Sequence, residues 1–557
     1  MDFNIVIAGE AGQGLKTVEA MLTKTFSRHG YYLFSTKDYM SRVRGGHNFM
    51  QIRISDQKVE GPDEEIDLLL ALNEESVEIH RSEMNEDGTI LSEIESDKDD
   101  MVYIDAKGIA KEVNPRAVNT VFVGAAFKIM GLPTEQAEEA VKEHFAKKES
   151  VIDDNLALLK KGYDAVDELY SIKDLGAKDD RMVIDGNSAV GLGALLAGLS
   201  YYTAYPMSPS TGILHYVAGK QEELGIVVEQ SEDEIASINM ALGGSYAGMR
   251  SMTGTSGGGL ALMAEGVGLA GITETPIVIA DVQRPGPATG LPTRTGQGDL
   301  LFAVNIAQDE FPLMVLAPKD QEDAVYQTFR AFNLADKYQI PVIILSDQFI
   351  GDGSKTIPVI DTSDLKIERH LVDPAEVEGE YKRYKYTEDG ISPRAYPGQL
   401  KDNIVLLDSD EHDEYAHIVE DGETRDKMVE KRTKKMKKLA AEDLLEPEYT
   451  GPEAPDYILV GWGSTAGPLR EGRKKLSDEY KVGHLAFNDL WPLPTKKLEE
   501  MAADAKLVFV ENNAGAQFDR LVRSETGIKA DYNILKDDGR PFSGQEIYRR
   551  FKEEVSK

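Results

Sequence analysis

The sequence predicts an α/β protein of several domains. Three observations carry this. Apolar runs of strand length alternate with helix-period stretches along most of the chain. Two segments open with a strand, a glycine-rich turn and a helix, as parallel-sheet units do. The 557 residues, at about 100–200 per domain, suffice for three or four cores. The first unit spans 1–172, with a strand at 5–8, the turn Gly9-Glu-Ala-Gly-Gln-Gly14 and a helix at 15–29. Further strand-like runs at 68–72, 102–105 and 121–123, and a last helix at 134–147, imply a mostly parallel sheet. A charged stretch, 171–181, closes it. The second unit spans 182–370, with strands at 226–229, 277–281, 313–317 and 341–346 and helices at 233–248 and 321–338. Segment 371–450 reads as a charged connector, its helix 424–441 carrying KRTKKMKK on a solvated or anion-binding face. Segment 452–557 returns to α/β, with strands at 457–461, 483–487 and 506–510.

The net charge is −35. A field of that sign repels nucleic acid and anionic membrane, so neither is an expected partner. No apolar run approaches the roughly 20 residues that span a bilayer, and MDFNIVIAGEAGQG lacks a basic signal-peptide start. A cytoplasmic location is expected. The chain has no cysteine, which excludes disulfides, thiol catalysis and cysteine-ligated iron–sulfur clusters within it. The histidines show no metal-ligand spacing, and Glu411-His-Asp-Glu414 reads as a solvated acidic turn. No metal site is expected in this chain.

The chemistry-bearing motifs sit at strand-to-helix turns. Gly9, Gly12 and Gly14 place backbone N–H groups at a helix start, where an anion is welcome or packing is tight. Arg42 and Arg44 stand beside Gly45-Gly46 as an anion or partner contact, or as surface arginines. In Tyr205-Pro-Met-Ser-Pro-Ser210, Ser208 and Ser210 suit helix capping or hydrogen bonding to a carboxylate. Glu232, Asp233 and Glu234 crowd one helix start, where acidic side chains suit the dipole. A buried carboxyl there can instead hold a proton for a heterocycle. Thr253-Gly-Thr-Ser-Gly-Gly-Gly259, with Thr255, Ser256 and Gly257, lets backbone approach a ligand closely. Arg284 follows a strand on a stiff Pro/Gly loop that continues past Arg294 to Gly296-Gln-Gly-Asp299, well placed for bidentate carboxylate binding. These turns are expected at one edge of one sheet. Gly351-Asp-Gly353, with the next asparagine only at Asn403, reads as an ordinary loop.

Together the motifs resemble the 2-oxoacid:ferredoxin oxidoreductase family, as an α subunit with the γ domain fused at its N-terminus. GEAGQG and RVRGG resemble the γ domain; YPMSPS resembles the family's YPITPS, with Ser208 where threonine is usual. QSEDEIASINMALGGSYAG followed by TGTSGGG resembles the thiamine-pyrimidine domain, and WGST, LWPLP and VENNAG the transketolase C-terminal-like domain. The resemblance implies thiamine diphosphate shared with a β subunit, which would supply the pyrophosphate domain, Mg²⁺ and an iron–sulfur cluster. It implies that Glu234, with Glu232 as the alternate, pairs with the pyrimidine N1′ near Thr255, Ser256 and Gly257. Ser208 and Arg284 match substrate-carboxylate positions, with Arg294 a candidate for a distal carboxylate. The implied reaction is oxidative decarboxylation of 2-oxoglutarate to succinyl-CoA, reducing ferredoxin in an α2β2-type assembly. Pyruvate or another 2-oxoacid as substrate, or a non-catalytic binding subunit, are the alternatives. A transketolase-like transferase would need a pyrophosphate domain in the same chain.

Overall fold

The computed structural model describes residues 1–41 and 45–557, so the candidate residues Arg42 and Arg44 lie outside the described residues. The chain forms two compact units. The first comprises 1–184 with 353–359 and 543–545, and the second the remainder.

The first unit holds an eight-stranded sheet. Its central strand, Asp2–Glu10, is flanked on one side by Ile66–Ala71, Met84–Ser92 and Met101–Tyr103, all parallel. On the other side His47–Ser55, Tyr32–Asp38 and Ser354–Pro358 pair antiparallel, and Arg181–Asp185 is the eighth strand at that edge. The sheet is therefore mixed, not mostly parallel. The connection from Asp38 to His47 is too short for the crossover that a parallel pair needs, so those two strands run antiparallel. A second correction concerns residues 121–123, which lie inside the helix Val118–Ile129. Val121, Phe122 and Val123 are all buried. A short apolar run in a helix buried on every side has no amphipathic period and reads like a strand. That helix crosses Ile152–Asp164 closely, because any Cβ on Gly124 or Gly162 would collide with the facing backbone carbonyl of Leu159 or Val121.

The second unit holds a seven-stranded sheet in the order Asp489–Trp491, Met314–Leu316, Pro341–Asp347, Ile277–Gln283, Ser251–Thr255, Tyr201–Ala204, Val227–Gln230. Every pair is parallel except the edge strand Asp489–Trp491. A five-stranded sheet is built around Tyr457–Trp462, Val482–Phe487 and Lys506–Glu511. One apolar core joins the two sheets, with Ile238, Leu260, Ile279 and Val315 packed with Trp462, Phe487, Phe509 and Phe518.

The charged connector is not a solvated face. Its helix Gly422–Glu442 buries Met428, Lys431, Arg432, Lys435 and Leu439. Lys431 donates to Glu274 Oε1 at 2.5 Å, and Lys435 donates to Glu274 Oε2. Arg432 takes both carboxylate oxygens of Glu411 at 3.0 and 2.8 Å. His412 is fully buried, packs against Tyr384 with the rings tilted by 36°, and bonds the Asp410 carbonyl through Nδ1 at 2.9 Å. Glu411 and His412 thus belong to a buried clamp, not to a solvated acidic turn.

Candidate active site

In the seven-stranded sheet, Gln230 lies opposite Ala204, Asp281 opposite Thr255 and Asp347 opposite Gln283. The turns after these parallel strands therefore open at the same carboxyl edge, where open α/β sheets bind ligands.

The three carboxylates of the helix start separate by role. Asp233 is the cap of Glu234–Tyr246 and accepts from the Ala236 N–H at 2.7 Å. Glu232 is exposed. Glu234 is only 4% exposed, and its Oε1 is buried with no hydrogen-bond partner. It looks at the Gly259 backbone, where a Cβ would stand 2.7 Å from Glu234 Cγ and 2.9 Å from Oε1. Glycine at 259 is what lets this carboxylate face the turn.

Within that turn, Thr255 points its hydroxyl to the Ser256 carbonyl at 3.3 Å and the Met207 sulfur at 3.8 Å. Ser256 occupies the cap position of Gly257–Leu262 without capping it, and its Oγ is buried and unpartnered. Gly257 lies against the Asp299 carboxylate, which a Cβ would strike.

Arg284 is half-buried and donates from Nη1 to the Ser208 carbonyl at 2.5 Å, while its Nε is buried without a partner. Burial lowers its pKa, and the charges of Asp299 and Glu234 oppose that shift, so the three groups share one field. Ser208 is exposed and meets Arg284 through its backbone. Ser210 does not cap the next helix; its hydroxyl bonds the Met207 carbonyl at 2.8 Å. Arg294 sits further along the loop, its Cβ and Cγ packed on Gly539.

The loop end is fixed by the five-stranded sheet. Gln297 N–H donates to the Asn512 carbonyl at 2.7 Å, and Asn512 N–H donates to Gln297 Oε1 at 3.0 Å. Asn513 Nδ2 reaches the Gln297 carbonyl at 3.0 Å, and Gln517 Nε2 the Gly298 carbonyl at 2.6 Å. The ENNAG stretch thus holds Asp299 in place. Residues that the sequence reading missed complete the edge. Asp281 has both carboxylate oxygens buried and unpartnered, and Asn187 Oδ1 and Tyr202 Oη are likewise buried without partners, as is Oγ1 of Thr253, which opens the glycine-rich motif read from the sequence. The available signal for Asp281 was an acidic residue at the end of an otherwise apolar strand.

In the first unit, Gly12 and Gly14 adopt φ of 98° and 78°. Gly14 precedes the helix Leu15–Arg28 and abuts Asn119, and Gly9 abuts Gln13, whose Oε1 accepts from Glu10 N–H at 2.6 Å. Tight packing accounts for Gly9 and Gly14.

The buried, unpartnered Glu234 oxygen and the glycine cradle opposite it fit a heterocycle that offers a ring nitrogen. Residues 192–438 match the family described as pyruvate flavodoxin/ferredoxin oxidoreductase, thiamine diphosphate-binding, and residues 4–165 match pyruvate ferredoxin/flavodoxin oxidoreductase. The class is therefore that of thiamine-diphosphate-binding oxidoreductase subunits. The 2-oxoacid:ferredoxin oxidoreductase subunit alpha of a Sulfolobus species is 32% identical, over 98% of this chain and 96% of that protein. The 2-oxoglutarate oxidoreductase subunit KorA of Mycobacterium tuberculosis is 30% identical, over 98% and 91%. A structure of 2-oxoglutarate:ferredoxin oxidoreductase from Magnetococcus marinus, with 2-oxoglutarate, coenzyme A and succinyl-CoA bound, superposes with a TM-score of 0.92. It is 33% identical and covers 100% of this chain and 99% of that one. The chain belongs to the 2-oxoacid:ferredoxin oxidoreductase family.

Proposed function

We propose that the chain is the γα subunit of a 2-oxoglutarate:ferredoxin oxidoreductase, active with a separate β subunit. The observation that carries the catalytic part is the Glu234 carboxylate, buried at a helix start with Oε1 unpartnered beside a glycine turn. The substrate assignment rests on likeness to relatives named for 2-oxoglutarate. In this reading the domains run 1–172, 182–370, 371–450 and 452–557. Thiamine diphosphate, when bound, supplies the thiazolium carbon and the electron sink for decarboxylation. Glu234 would hold the proton at the pyrimidine N1′. The unpartnered Ser256 hydroxyl and the Gly257–Gly259 backbone would hold the ring beside Glu234. The Arg284 guanidinium, anchored on the Ser208 carbonyl, grips the 2-oxoacid carboxylate and aims its carbonyl. Mg²⁺ and the iron–sulfur cluster are assigned to the β subunit, with coenzyme A as acyl acceptor, ferredoxin as electron acceptor, an α2β2-type assembly and a cytoplasmic location.

The test is an assay of the co-expressed pair with coenzyme A and ferredoxin on 2-oxoglutarate, pyruvate and 2-oxobutyrate. The expected result is a kcat/KM for 2-oxoglutarate at least about tenfold above the others. A preference for pyruvate overturns the substrate, and inactivity on all three overturns the enzyme reading.

A further inference from the structure

We propose that Asn187 is a positioning residue for the 2-oxoacid site: its side-chain amide holds the Pro209 carbonyl, and through it the turn on whose Ser208 carbonyl the Arg284 guanidinium is anchored. The proposal rests on Arg284 as the carboxylate site.

Three consecutive carbonyls of the 205–210 turn are claimed by different donors. The Met207 carbonyl accepts from the Ser210 hydroxyl at 2.8 Å and from the Thr211 N–H at 3.1 Å, so it is tied locally. The Ser208 carbonyl accepts from Arg284 Nη1 at 2.5 Å. The Pro209 carbonyl accepts from Asn187 Nδ2 at 3.1 Å. Asn187 belongs to a different element, the helix Gly186–Leu196. Asp185 fixes the start of that helix, accepting from the Ser188 N–H at 2.9 Å and the Ser188 hydroxyl at 2.8 Å. Asn187 itself is only 2% exposed. A Cβ on Gly212 would stand 2.8 Å from Asn187 Nδ2, and one on Gly351 3.2 Å from it, so two glycines close on the amide.

The neighbours of the amide set its orientation. Asp352 places its Oδ1 3.4 Å from the same Nδ2 that serves Pro209, and Asp352 is held in turn by Gln348 Nε2 at 3.1 Å. A carbonyl and a carboxylate both accept, so the NH₂ end of Asn187 faces them and its Oδ1 is left buried without a partner. What the amide supplies in return for that unmet acceptor is the bond to Pro209. The Gly351-Asp-Gly353 sequence thereby gains a role, as the support that orients Asn187. Between the Ser208 and Pro209 carbonyls lies only the proline ring, which fixes φ, so the two carbonyls move together. A shift at Pro209 therefore moves the atom on which Arg284 Nη1 rests. Arg284 is only half-buried, and its Nε has no partner. With Nη1 fixed on Ser208, the guanidinium is pre-oriented for a carboxylate; released, it grips the carboxylate loosely. Asn187 acts through Arg284 and not on the reacting atoms.

The test is steady-state kinetics of the assembled holoenzyme, with the 2-oxoacid and coenzyme A varied in turn. Asn187→Ala should raise KM for the 2-oxoacid about three- to tenfold, the range of one lost hydrogen bond. KM for coenzyme A and thiamine diphosphate binding by calorimetry should stay as in the wild type. Asn187→Ser, whose hydroxyl stops one atom short of the amide nitrogen, should behave alike and replaces the alanine variant if that one fails to assemble. The double variant Asn187→Ala with Arg284→Ala tests the route. Its KM for the 2-oxoacid should equal that of Arg284→Ala alone, because the asparagine acts through the arginine. A merely structural asparagine would add its effect to that of Arg284→Ala, or raise KM for both substrates alike, and either result overturns the proposal. So does a wild-type 2-oxoacid KM in the Asn187 variant. Arg284→Ala separates the two ideas: a wild-type KM in that variant removes the carboxylate site itself, whereas a raised KM there beside an unaffected Asn187 variant removes only the positioning role.

Discussion

An acidic side chain at a helix start is ordinarily stabilised by the dipole and by water, and Asp233 serves that ordinary purpose as the cap. Glu234 is inward and nearly water-free, with an oxygen that nothing in the chain satisfies. A buried unmet acceptor costs about 1–3 kcal/mol, a cost that a bound ring nitrogen would remove. Glu234→Gln keeps the shape and loses the proton exchange, so turnover of the holoenzyme should fall by roughly 10²–10⁴-fold, with thiamine diphosphate still bound by calorimetry. Glu232→Gln should behave as wild type, because that side chain is exposed. The reverse pattern transfers the role to Glu232. Sequence alone left these two open, since helix ends are legible only to within a residue or two; the Asp233 cap bond puts Glu234 at the first helical position and Glu232 outside the helix, which favours Glu234. At Arg284, substitution by lysine keeps the charge and loses the planar fork. Arg284→Lys should therefore raise KM for the 2-oxoacid and leave KM for coenzyme A unchanged in steady-state kinetics.

The basic helix Gly422–Glu442 shows why a charge run misleads. The partner of Lys431 and Lys435 is Glu274, 157 and 161 positions away, so no local pattern announces the burial. Burial pushes the Glu274 carboxyl up, and Lys431, Lys435 and Arg383 overcome it and hold it far below the carboxylate range. Burial also drives Lys435 down to about 7, against the pull of Glu274. The cluster carries more positive than negative charge. Glu274→Ala strands two buried ammonium groups and should cost about 3–5 kcal/mol in denaturant unfolding of the second unit. Lys435→Met leaves a one-to-one pair with Lys431 and should cost less than about 1.5 kcal/mol. The sign of the pH effect follows from the depressed lysine. Between about pH 7 and 10 the unfolded chain binds the Lys435 proton that the folded chain has lost, so stability rises with pH there. Lys435→Met should flatten that rise in unfolding midpoints measured across the range. The periodic elements with local signals, such as the helix Gln321–Tyr338 and the strand Pro341–Asp347, were legible from the sequence. The buried helix at 121–123 and the antiparallel strands around Asp38 and His47 were not, because full burial and long-range pairing leave no local period.

At the scale of the molecule, the chain brings the buried Glu234 carboxyl and the half-buried Arg284 to one sheet edge, and in the proposed reaction the remaining chemistry falls to a β subunit. Electrons leaving a decarboxylated 2-oxoacid need a redox centre, and with no cysteine this chain has no thiolate to hold an iron–sulfur cluster. Diphosphate and its metal need carboxylate and amide ligands. The one Gly-Asp-Gly sequence does not provide them. Asp352 ends the short helix Gln348–Asp352 and already accepts from Gln348 Nε2 at 3.1 Å and Asn187 Nδ2 at 3.4 Å. The next asparagine, Asn403, accepts from the Tyr381 N–H at 2.8 Å, a structural bond within the connector. Among the described residues no group of three or more acidic or histidine side chains could hold a metal ion. The purified single chain is therefore expected to be colourless, to contain no iron by elemental analysis, and to reduce no dye when given a 2-oxoacid and coenzyme A. Addition of a β subunit bearing the pyrophosphate domain and cluster should restore dye reduction, with an activity that saturates as the β subunit is titrated in. Glu234→Gln chains should compete with wild-type chains for that β subunit, since the substitution spares the fold, and so should lower the restored activity in proportion to their share. Iron in the single chain, or turnover without a partner, would show that the missing half of the chemistry resides here after all.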